Sequence, residues 1–115
     1  MNKYHSRKTE CRYGHLHDSK KEAEACIILN LMEKSGKIVQ LVQQPKFILQ
    51  SGFTGIDGRK VQPITYTADF QFFDIVENKV RVVDVKGFKT ASYRIKKRLF
   101  DYKMRKNNIM LEEEI

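Results

Sequence analysis

A chain of 115 residues with 41% hydrophobic and 10% aromatic content is one globular domain, large enough for a real core and too small for two. Its 22 Lys and Arg against 14 Asp and Glu leave a net charge of +8, which points to a polyanionic partner, most often nucleic acid. No stretch approaches the roughly 20 apolar residues of a membrane span, and the basic N-terminus has no apolar run to act as a signal peptide. Cys11 and Cys26 form no disulfide pattern, so the expected setting is a reducing cytoplasm.

Residues 1–8 read as a flexible basic tail, and Thr9 to His17 as a small hairpin around Tyr13-Gly14. Ser19 followed by Glu22 is a capping box, which starts a helix that should run to about Ser35, with Gly36 as its C′ residue. The helix body is apolar on nearly every side, as expected of a helix packed against a sheet. Ile38 to Gln43 and Lys46 to Gln50 read as strands separated by Pro45, and Gly52, Gly55 and Gly58 mark a loose hairpin tip. Ile64 to Asp74 reads as one strand and Lys79 to Lys86 as the next, joined by the turn Ile75 to Asn78. A second helix is expected from Ser92, as its N-cap, to Lys106, and a last strand over Ile109 to Glu113. The order α-β-β-β-α-β predicts a single α/β domain over residues 1–115, a central mixed sheet flanked by helices.

The hairpin carries the chemistry. If Asp74 pairs with Lys79, the same register sets Asp69 opposite Asp84, with Cβ atoms about 5 Å apart on one face. Lys86, two residues beyond Asp84, shares that face. Two carboxylates facing one another in an apolar sheet repel and lose hydration, and a divalent cation held by oxygen ligands removes the conflict. Glu22 is the best third acid. It lies on one helical stripe with Cys26 and Leu29, whereas Glu24 points to solvent. The alternatives are a structural ion pair for Asp69, Asp84 and Lys86, and simple capping for Glu22. Cys11, His15, His17 and Cys26 invite a zinc reading, but their spacing matches no common finger and Cys26 falls inside a helix, where a small core residue is expected.

An acid on the first helix, an Asp on one strand and Asp-Val-Lys on the next resemble the PD-(D/E)XK nuclease pattern. The likeness is closer to a small phage and prophage group catalogued as a domain of unknown function. It rests on Ser19 to Glu24, Gln44 to Phe47, Tyr66 to Phe70 and Asp84 to Gly87, and covers roughly residues 3 to 105. The resemblance implies a restriction-endonuclease-like core and Mg²⁺, with Mn²⁺ as substitute, held by Asp69, Asp84, Glu22 and the carbonyl of Val85. It assigns Lys86 to the attacking water and puts Gln44 beside the metal. The group usually has an apolar or aromatic residue where this chain has His17.

Residues 93–106 hold seven Lys or Arg against Asp101 alone. Lys20, Lys21, Lys89, Arg94, Lys97 and Arg98 are the expected DNA contacts, through phosphates rather than bases. The second helix shows two apolar stripes, Ile95-Leu99-Tyr102 and Tyr93-Phe100-Met104. One should cover the sheet; the other is further core, a dimer surface or a base-stacking platform. The expectation is a metal-dependent endodeoxyribonuclease acting on branched or junction DNA in phage recombination or replication. Analogy with junction resolvases leaves a homodimer open. The competing readings are a non-catalytic DNA-binding accessory protein of the same fold and a protein-interaction module.

Overall fold

The computed structural model describes residues 9–10, 16–17, 20–85 and 89–115. Strand β1 (Thr9–Glu10) pairs antiparallel with β2 (Leu16–His17), Thr9 opposite His17, while the expected turn at Tyr13-Gly14 lies outside the described residues. Helix α1 follows over Lys20–Lys34. Its C-terminus closes through Lys37 N–H to Met32 C=O and Gly36 N–H to Glu33 C=O, with Gly36 at φ 80°. This double bond around a left-handed C′ residue is the Schellman arrangement, which glycine adopts without a Cβ penalty.

The sheet is mixed and four-stranded, in the order β10-β9-β8-β3, with β3 Ile38–Gln43, β8 Phe70–Asp74, β9 Lys79–Val83 and β10 Leu111–Glu112. Neighbours are antiparallel except β9 and β10, which run parallel because α2 (Ala91–Met104) crosses between them. Two further ladders lie outside it: β4 (Lys46–Gln50) with β7 (Ile64–Thr67), and β5 (Phe53–Thr54) with β6 (Lys60–Val61). Since β3 leads into β4 and β7 into β8, these ladders form one long ribbon, broken where Gln44-Pro45 faces Ala68-Asp69. The radius of gyration, 16.0 Å, exceeds the roughly 13 Å of a compact chain this long, consistent with a ribbon that extends past the sheet.

The expectation of one strand from Ile64 to Asp74 is therefore corrected: the segment is two strands in different ladders. Pro45 has no N–H to donate, and Gln44 is at φ 53°, so the opposite strand cannot be paired continuously through this point. The second helix is corrected at both ends. Thr90 rather than Ser92 is the N-cap, its Oγ1 accepting from Tyr93 N–H at 3.0 Å, and the α-helix gives way to a 3₁₀ turn over Arg105–Asn107.

Each face of the sheet has its own core. On one, Ala23, Ala25, Cys26 and Leu29 of α1 pack on Ile38, Phe70, Phe72 and Val83. On the other, Tyr93 and Phe100 of α2 pack with Tyr66, Ala68, Val82 and Leu111. The Phe47 ring meets Phe100 edge-on at 4.9 Å, so the inner half of the ribbon shares this second core. The result is the expected α/β layering, a mixed sheet flanked by two helices, consistent with a restriction-endonuclease-like core. No helix among the described residues is long and apolar enough to cross a membrane.

Candidate functional site

The predicted hairpin register holds. Asp74 pairs with Lys79 and the ladder runs in that register to Phe70 and Val83, so Asp69 and Asp84 are the residues just beyond its end. Hydrogen bonds hold Asp69 against the strand around Asp84. The Asp69 N–H donates to Val83 C=O at 3.2 Å, and its carboxylate Oδ2 accepts from Val85 N–H at 2.8 Å, so Asp69 grips β9 on both sides of Asp84. Its carbonyl accepts from Gln44 N–H at 2.8 Å, and Asp84 N–H donates to Glu112 C=O at 2.8 Å. The two aspartates thus sit where the ribbon breaks and β9 ends, in contact with backbone from β10 and from the β3–β4 junction.

Asp84 is fully buried and Asp69 half-buried. Val83 and Val85, on either side of Asp84, belong to the α1-facing core. Strand alternation turns Asp84 to the opposite face, with Val82 and the N-terminal part of α2. The state of Tyr93 agrees with this: burial pushes its phenol well above the usual range, the hydrogen bond to Glu113 adds to the shift, and the negative charges of Asp84 and Asp101 raise it further.

That neighbourhood holds a polar network that reading the sequence missed. The Tyr93 hydroxyl donates to Glu113 Oε2 at 2.8 Å, and Lys89 Nζ pairs with Glu113 Oε1 at 3.2 Å. These partners hold the Glu113 carboxyl below its ordinary value, Tyr93 first and Lys89 next. The parallel pairing of Glu112 with Val83 brings Glu113 abreast of Asp84. Deeper under α2, Lys97 Nζ pairs with Asp101 Oδ2 at 2.7 Å, and Asp101 Oδ1 accepts from Leu111 N–H at 2.8 Å. No periodicity marks Glu113, which belongs to an acidic run; only the β9–β10 pairing brings it here.

The other expected residues divide as follows. Glu22 is buried on the same stripe as Cys26 and Leu29, as predicted, and Glu24 is exposed. But α1 covers the face opposite the one Asp84 turns to. Among the described residues, no group of three His, Cys, Asp or Glu side chains gathers as a metal site. Gln44 touches the site through its main chain, its residue largely exposed. Lys86 and the side chains of Cys11, His15 and His17 lie outside the described residues, and Cys26 is a fully buried core thiol whose sulfur accepts from the Asn30 and Gln43 side-chain amides. Of the expected DNA contacts, Lys20, Lys21, Arg94 and Arg98 are exposed, while Lys89 and Lys97 are engaged in the ion pairs just given.

A second, partly buried polar cluster runs along the α1 face of the sheet. The Arg81 guanidinium reaches Asp74 Oδ2 at 3.0 Å and Glu112 Oε1 at 2.6 Å, and lies over the Phe72 ring. It ties β8, β9 and β10 together on the α1 face. The main-chain N–H of Glu77, in the turn, holds the Asp74 carboxyl below its usual value, and Arg81 lowers it further.

No curated protein and no solved structure matches this chain. A family model described as "Protein of unknown function (DUF1064)" matches residues 1–112, and the chain belongs to that family.

Proposed function

We propose that this protein is a Mg²⁺-dependent endodeoxyribonuclease that hydrolyses phosphodiester bonds, acting on branched or junction DNA in phage recombination or replication. The observation that carries the reading is the fastening of Asp69 beside a fully buried Asp84 at the point where the strands part. Two carboxylates so placed suit a hard cation. Mg²⁺ commonly takes one or two carboxylates and fills its remaining positions with water and substrate phosphate, so a pair suffices where a third acid is not at hand. The Val85 carbonyl, next in the chain, is a further oxygen donor, and Glu22 and Gln44 flank the site in the resembling pattern. When bound, the ion would acidify a water and neutralise charge developing on phosphorus. Lys86, two residues past Asp84, would orient or deprotonate that water, as the Asp-Val-Lys resemblance implies. The net charge of +8 suits DNA as the partner.

The second reading is a DNA-binding accessory protein of the same fold without turnover, which the net charge of +8 suits equally. A single experiment separates the two. The protein is incubated with flap, duplex, single-stranded and four-way-junction DNAs, with Mg²⁺, with Mn²⁺ and with EDTA. The nuclease cuts with metal alone, and Asp84→Ala stops cutting while still binding. A protein that binds junctions and cuts under no divalent ion is the accessory factor. An Asp84→Ala variant that cuts like wild type places the chemistry elsewhere.

A further inference from the structure

Of the two apolar stripes on α2, the structure buries one and leaves the other open. Tyr93 and Phe100 are 6% and 0% exposed, whereas Ile95, Leu99 and Tyr102 are 58%, 39% and 68% exposed. The last three line one shallow depression together with Arg98. From the helical spacing, Arg94, Arg98 and Arg105 border the stripe on one side and Lys96 and Lys103 on the other, the Lys103 ammonium donating to the Ile48 carbonyl. The one acid of the helix, Asp101, is turned inward to Lys97 and Leu111 N–H. The Arg105 guanidinium lies 4.1 Å from the centre of the Tyr102 ring and donates to the Tyr102 carbonyl, which braces an otherwise exposed aromatic.

Charge selects the occupant. A second copy of this stripe would bring two cationic borders face to face, with no acid to offset them. A polyanion with flat apolar groups along it meets both features: phosphates against the borders, bases against the ring and the aliphatic side chains. We infer that the outer face of α2 is a stacking platform for unpaired nucleotides, with Tyr102 as its aromatic anchor. The inference rests on the proposed nucleic-acid function and narrows it: the substrate includes a single-stranded stretch beside duplex.

The test uses the full chain without metal. Fluorescence anisotropy measures binding to a labelled oligothymidylate and to a blunt duplex, for wild type, Tyr102→Ala, Tyr102→Phe and Leu99→Glu. The loss of one stacked base predicts about a tenfold or greater weakening on the oligothymidylate for Tyr102→Ala, near wild-type binding for Tyr102→Phe, and unchanged duplex affinity for both. Circular dichroism melts confirm that the variants are folded, as expected for a residue this exposed. Equal weakening of both ligands, or of neither, overturns the platform and leaves the nuclease reading standing. Sedimentation that shows a dimer dissociated by Leu99→Glu, with oligothymidylate affinity unchanged, also overturns it. Failure to bind any nucleic acid at low salt removes the platform and the proposed function together.

Discussion

The carboxylate of Asp69 accepts a hydrogen bond from the main-chain N–H of Val85 at 2.8 Å, so a side chain at the ribbon break secures the strand just past Asp84. This bond separates structure from chemistry in a pair of variants. Asp69→Asn keeps an acceptor for Val85 and should lose little stability. Asp69→Ala strands that N–H and should cost about 1–3 kcal/mol. Metal-dependent cleavage should disappear in both. Urea melts alongside a cleavage assay check this, and cleavage by Asp69→Asn at the wild-type rate would remove Asp69 from the metal site.

Gln44 touches Asp69 through its backbone and holds a left-handed conformation, φ 53°, that a β-branched residue adopts poorly. Gln44→Val should therefore be less stable than Gln44→Gly by about 1–2 kcal/mol. If Gln44 acts only through its main chain, Gln44→Gly retains cleavage. If its amide works beside the metal, both variants lose it.

Arg81 neutralises two carboxylates, Asp74 and Glu112, across three strands. Arg81→Met should destabilise the fold by about 3 kcal/mol, since it leaves both acids without their cation in a largely buried place. Denaturant melts measure the loss. Further replacement of Asp74 by Asn should recover part of it, because the stranded charge is then gone.

Asp74 and Glu113 both have carboxyls held below their ordinary values, which fixes the sign of a pH effect. Their contribution to stability is complete above the unfolded carboxylate range, roughly pH 4, and is lost as pH falls below it through the folded values. Arg81 stays charged throughout and adds no pH dependence of its own. Thermal melts from pH 7 to pH 3 should show a fall confined to the acid end. Asp74→Asn should flatten part of that fall, and an unaltered profile would contradict the Asp74 assignment.

DNA binding should weaken as salt rises, because phosphate contacts release counterions. Arg94→Ala and Arg98→Ala should each lower the slope of log K against log salt by about one. Lys97→Ala, which removes the partner of Asp101, should instead lower stability more than it changes the slope.

Local signals in the chain were enough for much of this structure. Gly36 marked the end of α1, Pro45 separated two strands at their observed bounds, and the Ile75 to Asn78 turn fixed the register that carries β8 and β9 up to Asp69 and Asp84. What escaped was imposed from elsewhere. The apolar alternation in the sequence runs unbroken from Tyr66 to Phe72, yet Tyr66 and Ala68 pack under α2 while Phe70 and Phe72 pack under α1, a change of face at Asp69 known only from the partner strand at Gln44-Pro45. Periodicity showed two stripes on α2 but not which one is buried; the Phe47 ring, far away in the chain, settles that against Phe100. Glu113 enters the neighbourhood of Asp84 through a parallel pairing, which leaves no mark in the local pattern.

Asp84 takes its supports from very different distances along the chain. β8 reaches it through a four-residue turn, whereas the Glu112 carbonyl arrives only after α2 has crossed the sheet. Hairpins zip within microseconds, while pairings that close a long loop come late. A folding chain should therefore pair β8 with β9 while this aspartate is still hydrated. Its desolvation then coincides with the docking of α2 and β10, and the charge is sequestered only as folding finishes.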